Sequence, residues 1–163
     1  MKQLIFAKVR PNAKIPTKRT EDAGRDIYPC FDEDYIIIPP LHTVMIPTGI
    51  ASAFSSDYYA QIQERGSTGT RGMKYGAGVI DSGYRGEWFV PITNCNSVPL
   101  VIKKSHCENR EIFEDCVIYP YEKAIAQFVM IKVPEFKEVE VSYDTLLKIK
   151  SLRGTGALGS SGK

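Results

Sequence analysis

The strongest constraint on the fold is a rhythm of short β-prone runs, each cut off by Gly, Pro, Asp or Ser. The runs are Leu4 to Val9, Tyr35 to Ile38, Thr43 to Ile46, Tyr58 to Gln63, Trp88 to Thr93, Leu100 to Lys103, Ile125 to Val133 and Val139 to Val141. β-Branched and aromatic side chains suit a pleated, half-buried surface, and runs at this spacing build sandwiches and barrels; βαβ units would need helical patterns between them. The spacing therefore predicts an all-β domain. Only Asp144 to Leu152, with Leu146, Leu147 and Ile149, shows apolar residues at helical spacing, and it predicts one short amphipathic helix.

Two segments stand outside the rhythm. Lys103 to Cys116 (KKSHCENREIFEDC) is a charged insert between two strand-like runs, longer than a hairpin loop needs, and reads as a separable surface element. Arg153 to Lys163 (RGTGALGSSGK) has the composition of a flexible linker. The expected organisation is one β domain over residues 1–152 and a glycine-rich arm over 153–163.

Charge and composition narrow the function. Lys and Arg number 21 against 19 for Asp and Glu, so the chain lacks the basic excess of a general nucleic-acid binder and must meet any anionic ligand locally. No apolar stretch reaches the roughly 18 to 20 residues of a membrane helix, and the N-terminal run meets Lys8 before a signal-peptide core can form. The expectation is a cytoplasmic protein that engages neither membrane nor nucleic acid. Cys30, Cys95, Cys107 and Cys116 form no CxxC pair; His106-Cys107 with Cys116 could chelate a metal, and reduced thiols are the plainer reading.

Several polar constellations sit between the runs. Asp22 to Asp26 sets a carboxylate after a small-residue turn, Glu64 to Gly69 (ERGSTG) follows a strand, and the arm repeats Gly with Arg153, Ser160 and Ser161. Small residues let backbone N–H groups approach a phosphate, Arg offers a planar fork to its oxygens, and Ser or Thr adds a hydroxyl donor. Such turns are also ordinary β-protein punctuation. The most informative stretch is Gly76 to Glu87 (GAGVIDSGYRGE), read as a glycine-flanked hairpin that delivers a carboxylate and then an aromatic residue. Its glycines allow backbone to press against a flat ligand.

Five motifs, in order along nearly the whole chain, resemble those of the trimeric dUTPases. Ala23-Gly24-Arg25-Asp26-Ile27 matches the first; Arg65-Gly66-Ser67 matches the second with its serine one place late. Gly78 to Glu87 matches the third in full, and Ile125-Ala126-Gln127 keeps the end of the fourth, whose first places here are Glu122, Lys123 and Ala124. Arg153 to Gly162 matches the fifth, with Leu158 where that family has an aromatic residue.

The resemblance implies a jelly-roll-like distorted β-barrel, assembled as a homotrimer, that hydrolyses dUTP to dUMP and pyrophosphate. Such an enzyme limits uracil in DNA and supplies dUMP for dTMP synthesis. Asp81 would be the general base on a water attacking the α-phosphorus in line, Gln127 would hold that water, and Mg²⁺ on the phosphates would meet Asp26 through water. Arg65, Ser67, Arg153, Ser160 and Ser161 would hold the phosphates, and Gly66 and Gly159 would also contact the substrate. The backbone of Gly76, Ala77, Gly78 and Val79 would match uracil, Tyr84 would pack on the deoxyribose, and Leu158 would cover the base, with Tyr75 open as a substitute aromatic. The plain alternative for Tyr84 is a cross-strand hydrophobic pair.

Two rivals remain. A dCTP deaminase shares the fold and favours an arginine after the second motif, as Arg71 provides, but it needs a glutamate where this chain has Pro91. A regulator would instead bind a protein partner through the insert at 103–116.

Overall fold

The computed structural model describes residues 3–76, 78–108 and 113–156. Among them the chain forms twelve strands: β1 (Leu4–Lys8), β2 (Arg25–Ile27), β3 (Tyr35–Ile38), β4 (Thr43–Pro47), β5 (Ile50–Phe54), β6 (Tyr58–Gln63), β7 (Met73–Tyr75), β8 (Val79–Ile80), β9 (Phe89–Asn94), β10 (Leu100–Lys103), β11 (Val117–Pro120) and β12 (Ala126–Lys132). Helical turns occur at α1 (Gly66–Gly69) and α2 (Tyr143–Leu147). The strands pair as β1-β5, β11-β10-β3, β4-β9-β7 and β2-β12-β6-β8, the all-β architecture that the rhythm predicts and whose jelly-roll-like form the resemblance implies.

The inward faces of these strands carry the core. Alternation along β12 buries Ala126 and Phe128 and turns Gln127 outward, and β2 likewise buries Ile27 while Asp26 stays half-exposed. Phe6, Trp88 and Phe128 meet edge to face, with centroids 5.1 to 6.1 Å apart, a geometry worth about 0.5 to 1.5 kcal/mol per pair beyond area burial. Around them lie Ile27, Ile38, Ile46, Ile50, Ile92, Leu100 and Ile125, each fully buried.

The chain divides into two compact units, Met1–Val133 and Pro134–Lys163, so the boundary expected after Leu152 falls inside the second unit. That unit departs from the sequence reading. Val139 to Val141 forms no strand, because residues 68% and 47% exposed at its ends find no neighbouring ladder. The helix starts at Tyr143, capped by the Ser142 hydroxyl that accepts from Thr145 N–H at 3.2 Å, and stops at Leu147, short of Leu152. A few residues give too few intrahelical bonds to offset nucleation, and Leu146, Leu147 and Ile149 remain half or more exposed.

The first unit departs in two places that bear on function. β7 pairs with β9 while β8 pairs with β6, so Gly76 to Glu87 is a passage between sheets and not the expected hairpin. β10 and β11 run parallel, so Lys103 to Cys116 is the crossover joining them, and its length follows from that topology. A tight turn cannot connect parallel neighbours. The described part of this crossover is fastened down: Ser105 N–H donates to Glu122 at 2.9 Å, His106 faces Asp34 at 2.9 Å, and Phe113 packs edge to face on Tyr35. The expectation of a separable surface element is therefore corrected.

Candidate active site

Antiparallel register sets β2 beside β12, placing Asp26 opposite Gln127 and Gln127 opposite Gln63. The turn that follows β6 brings Arg65 over this pair. Its Nε lies 2.9 Å from Asp26 Oδ1, its Nη2 donates to Oδ2 at 3.4 Å, and its Nη1 reaches the Ala124 carbonyl at 3.2 Å and the Ser67 hydroxyl at 3.3 Å. The Gln127 amide donates to the Glu64 carbonyl at 2.8 Å, and a Cβ on Gly24 would run into Gln127 Oε1, so any side chain there pushes the amide aside. Thr17, Lys18, Arg19, Asp22, Asp26, Arg65, Gly66, Ser67 and Gln127 line one cleft of about 770 Å³.

The cations of this cleft are already engaged. Lys18 Nζ donates to the carbonyls of Arg19, Thr20 and Asp22 at 3.2, 3.2 and 2.7 Å, closing the loop before Ala23. Arg19 donates to Asp22 at 2.9 and 3.0 Å, and that hydrogen bonding holds the Asp22 carboxyl below the usual carboxylate range. Sequence reasoning missed Lys18 and Arg19, although the charged run Lys18 to Asp22 just ahead of the first motif was a signal.

Asp81 and Tyr84 lie elsewhere. With Gly78, Val79 and Ile80 they line a second cleft of about 270 Å³, walled by Met45, Ile62, Phe89 and Pro91. Asp81 follows β8 directly, and its carboxylate is exposed, with no ion pair or hydrogen bond among the described residues. Tyr84 sits in the turn beyond, its hydroxyl donating to the Glu87 carbonyl at 3.0 Å, so it makes no cross-strand pair. Glu87 in turn binds Arg10 at 3.0 Å and accepts from Gly49 N–H at 2.8 Å, tying the segment to the β5 end of the sheet.

The putting together of these elements is therefore partial. Asp81 falls opposite the β6 end near Tyr59, two strands and four residues away from Gln127, a separation on the order of 15 Å. One copy brings Asp26, Arg65, Gly66, Ser67 and Gln127 together, and separately Gly78, Val79, Asp81 and Tyr84.

The backbone of the third motif is partly committed. Gly76 N–H donates to the Pro91 carbonyl at 3.2 Å, and the Gly78 carbonyl accepts from Ile62 N–H at 2.6 Å. A Cβ on Gly78 would lie 2.5 Å from the Gln61 amide nitrogen and 3.0 Å from the Ile62 carbonyl, so the chain passes too closely there for any side chain. In the second unit Arg153 Nε donates to the Gly156 carbonyl at 2.9 Å, and Gly154 adopts φ +55. Ala77, Leu158, Gly159, Ser160 and Ser161 lie outside the described residues.

The dUTPase family model matches residues 11–162. The chain belongs to the dUTPase family. It is 33% identical over 155 residues to a deoxyuridine 5'-triphosphate nucleotidohydrolase of Neisseria meningitidis, covering 91% of this chain and 87% of the relative. A Gloeobacter violaceus protein of the same name is 35% identical over 144 residues, with 86% and 83% covered. A solved dUTPase of Staphylococcus bacteriophage 80alpha, a G164S mutant with dUpNHpp, shares the fold with a TM-score of 0.73 at 21% identity, covering 99% of both chains.

Family membership also bears on the deaminase alternative. Pro91, buried in β9, offers no acid or base, and Arg71 is spent on structure, donating to the Ile118 carbonyl at 3.0 Å above the Tyr119 ring.

Proposed function

We propose that this chain hydrolyses dUTP to dUMP and pyrophosphate in a homotrimer whose sites each draw on more than one copy. The match of the family model to residues 11–162 carries this reading. The half-site character of the two clefts supports the trimer: a water shared by Asp81 and Gln127 cannot span some 15 Å within one copy, but it can where the β8 cleft of one copy meets the Arg65 cleft of the next.

In that assembled site Asp81 takes a proton from water as its oxygen attacks the α-phosphorus, and pyrophosphate leaves in line. A positioned base of this kind contributes about 10² to 10⁴ in rate. Gln127 orients the α-phosphate and the water. Arg65, Gly66 and Ser67 hold phosphate oxygens, and Arg153, Gly159, Ser160 and Ser161 add to them from the arm. Gly76 to Val79 read uracil with the backbone groups not committed to the sheet, and Tyr84 packs on the deoxyribose, leaving no room for a 2′-hydroxyl. Leu158 covers the base.

The residues fit a divalent cation brought in on the substrate. Among the described residues no group of three His, Cys, Asp or Glu side chains could hold a metal alone, and Asp26 is spent on Arg65. A triphosphate arriving at Arg65 competes with that carboxylate. Mg²⁺ would neutralise phosphate charge and accept Asp26 through water, which fits an outer role.

Pyrophosphate release from dUTP, dCTP, dTTP and UTP with Mg²⁺ tests the proposal. The expected result is strong preference for dUTP; ammonia release from dCTP, or no pyrophosphate from dUTP, would refute it.

A further inference from the structure

α1 spans only Gly66–Gly69, too short to hold itself in place. What closes it is Thr68, fully buried, whose hydroxyl accepts from Arg65 N–H at 3.1 Å and lies 2.9 Å from the Arg65 carbonyl. Seven residues on, at the end of β7, the Tyr75 hydroxyl gives its one proton to the Ile125 carbonyl and lies 2.9 Å from the Thr68 hydroxyl, whose proton closes the contact between the two. Ile125 leads directly into Ala126 and Gln127 of β12, and the neighbouring Ala124 carbonyl accepts from Arg65. One phenol therefore joins the Arg65 turn to the strand that carries Gln127. Because the ring packs against the core, the hydroxyl is fixed in direction, and its committed bonds leave the ring no freedom to swing out over a ligand.

We propose that Tyr75 is a positioning residue for the phosphate-binding half of the site. Its hydroxyl sets the Arg65 backbone against β12, so that the guanidinium and the Gln127 amide address the same phosphate. Burial pushes the Tyr75 hydroxyl up to about 12, so the donor stays protonated throughout the physiological range. The inference rests on the dUTPase reading for the identity of the anion, and on the hydrogen-bond geometry alone for the positioning.

Tyr75→Phe keeps the ring and removes the link; Thr68→Val removes the other end. Each variant should weaken a non-hydrolysable dUTP analogue about three- to tenfold, the range of one neutral hydrogen bond, and leave deoxyuridine affinity unchanged. The double variant should lose less than the product of the two, since both cut one connection. Amide hydrogen exchange over residues 66–71 should accelerate in Tyr75→Phe while exchange in β6 holds. A wild-type protein that binds no analogue sinks the dUTPase reading, and the exchange result still decides the positioning. Equal loss on deoxyuridine, full additivity, or unchanged exchange at 66–71 would overturn the proposal.

Discussion

In the Arg65 cleft the charged groups hold one another: Arg65 with Asp26, Arg19 with Asp22, Lys18 with three carbonyls. In the β8 cleft, by contrast, Asp81 stands exposed beside apolar walls, and the residues around it are held by backbone bonds to neighbouring strands. On the proposed function, the first region binds an anion by exchanging these partners. The second sets one carboxylate and one aromatic ring in a cleft with the apolar walls Met45, Ile62, Phe89 and Pro91. Under the proposed function, binding and proton abstraction are thus assigned to separate clefts of the chain.

The contrast can be broken from either side. Removing Arg153 to Lys163 should abolish dUTP turnover while leaving the trimer folded by circular dichroism and sedimentation, because on the proposed function this segment supplies Arg153, Ser160 and Ser161 to the phosphates. Full activity after deletion would mean the two clefts suffice. Asp81→Asn should lower kcat by about two or more orders of magnitude with little change in analogue affinity, since the amide cannot accept the water's proton. Near-normal turnover would remove Asp81 from the chemistry.

Gly24→Ala attacks the other cleft. Its methyl would displace the Gln127 amide, and a misplacement of that size should cost roughly tenfold to a hundredfold in kcat, read by steady-state kinetics, with deoxyuridine binding intact. Loss of deoxyuridine binding would show that the clefts are not independent. The smallest effect is expected at Leu158→Phe, where a π-face should tighten a non-hydrolysable dUTP analogue about three- to thirtyfold; unchanged affinity would make leucine the fitted residue.

Much of this was legible in the sequence for identifiable reasons. β3, β6 and β10 have the bounds expected, because their β-branched and aromatic runs end at turn residues. β7 and β8, of three and two residues, are too short to show a period, so the passage Gly76 to Glu87 read as a hairpin. The parallel pairing of β10 with β11 has no local signature, and without it the crossover at 103–116 looked like an addition. Motif order put Asp26, Arg65 and Gln127 in one site with Asp81, and one cleft does hold the first three, but spacing along the chain carries no register information, and the distance separating Asp81 from Gln127 emerges only from strand pairing. Thr68 went unremarked and Tyr75 was read only as a substitute aromatic for a similar reason: a Thr in a turn and a Tyr ending a strand are ordinary until one hydroxyl meets the other.

Subunit complementation tests the segregation of the two clefts most directly. Asp81→Asn keeps the Arg65 cleft and Arg65→Ala keeps the β8 cleft, so each homotrimer should be nearly inactive. Denatured together in equal amounts and refolded, the mixture should recover about a quarter of wild-type activity, the fraction of interfaces that pair one intact cleft of each kind. Recovery no greater than the sum of the two parents would place both clefts of every site on a single chain and contradict the account.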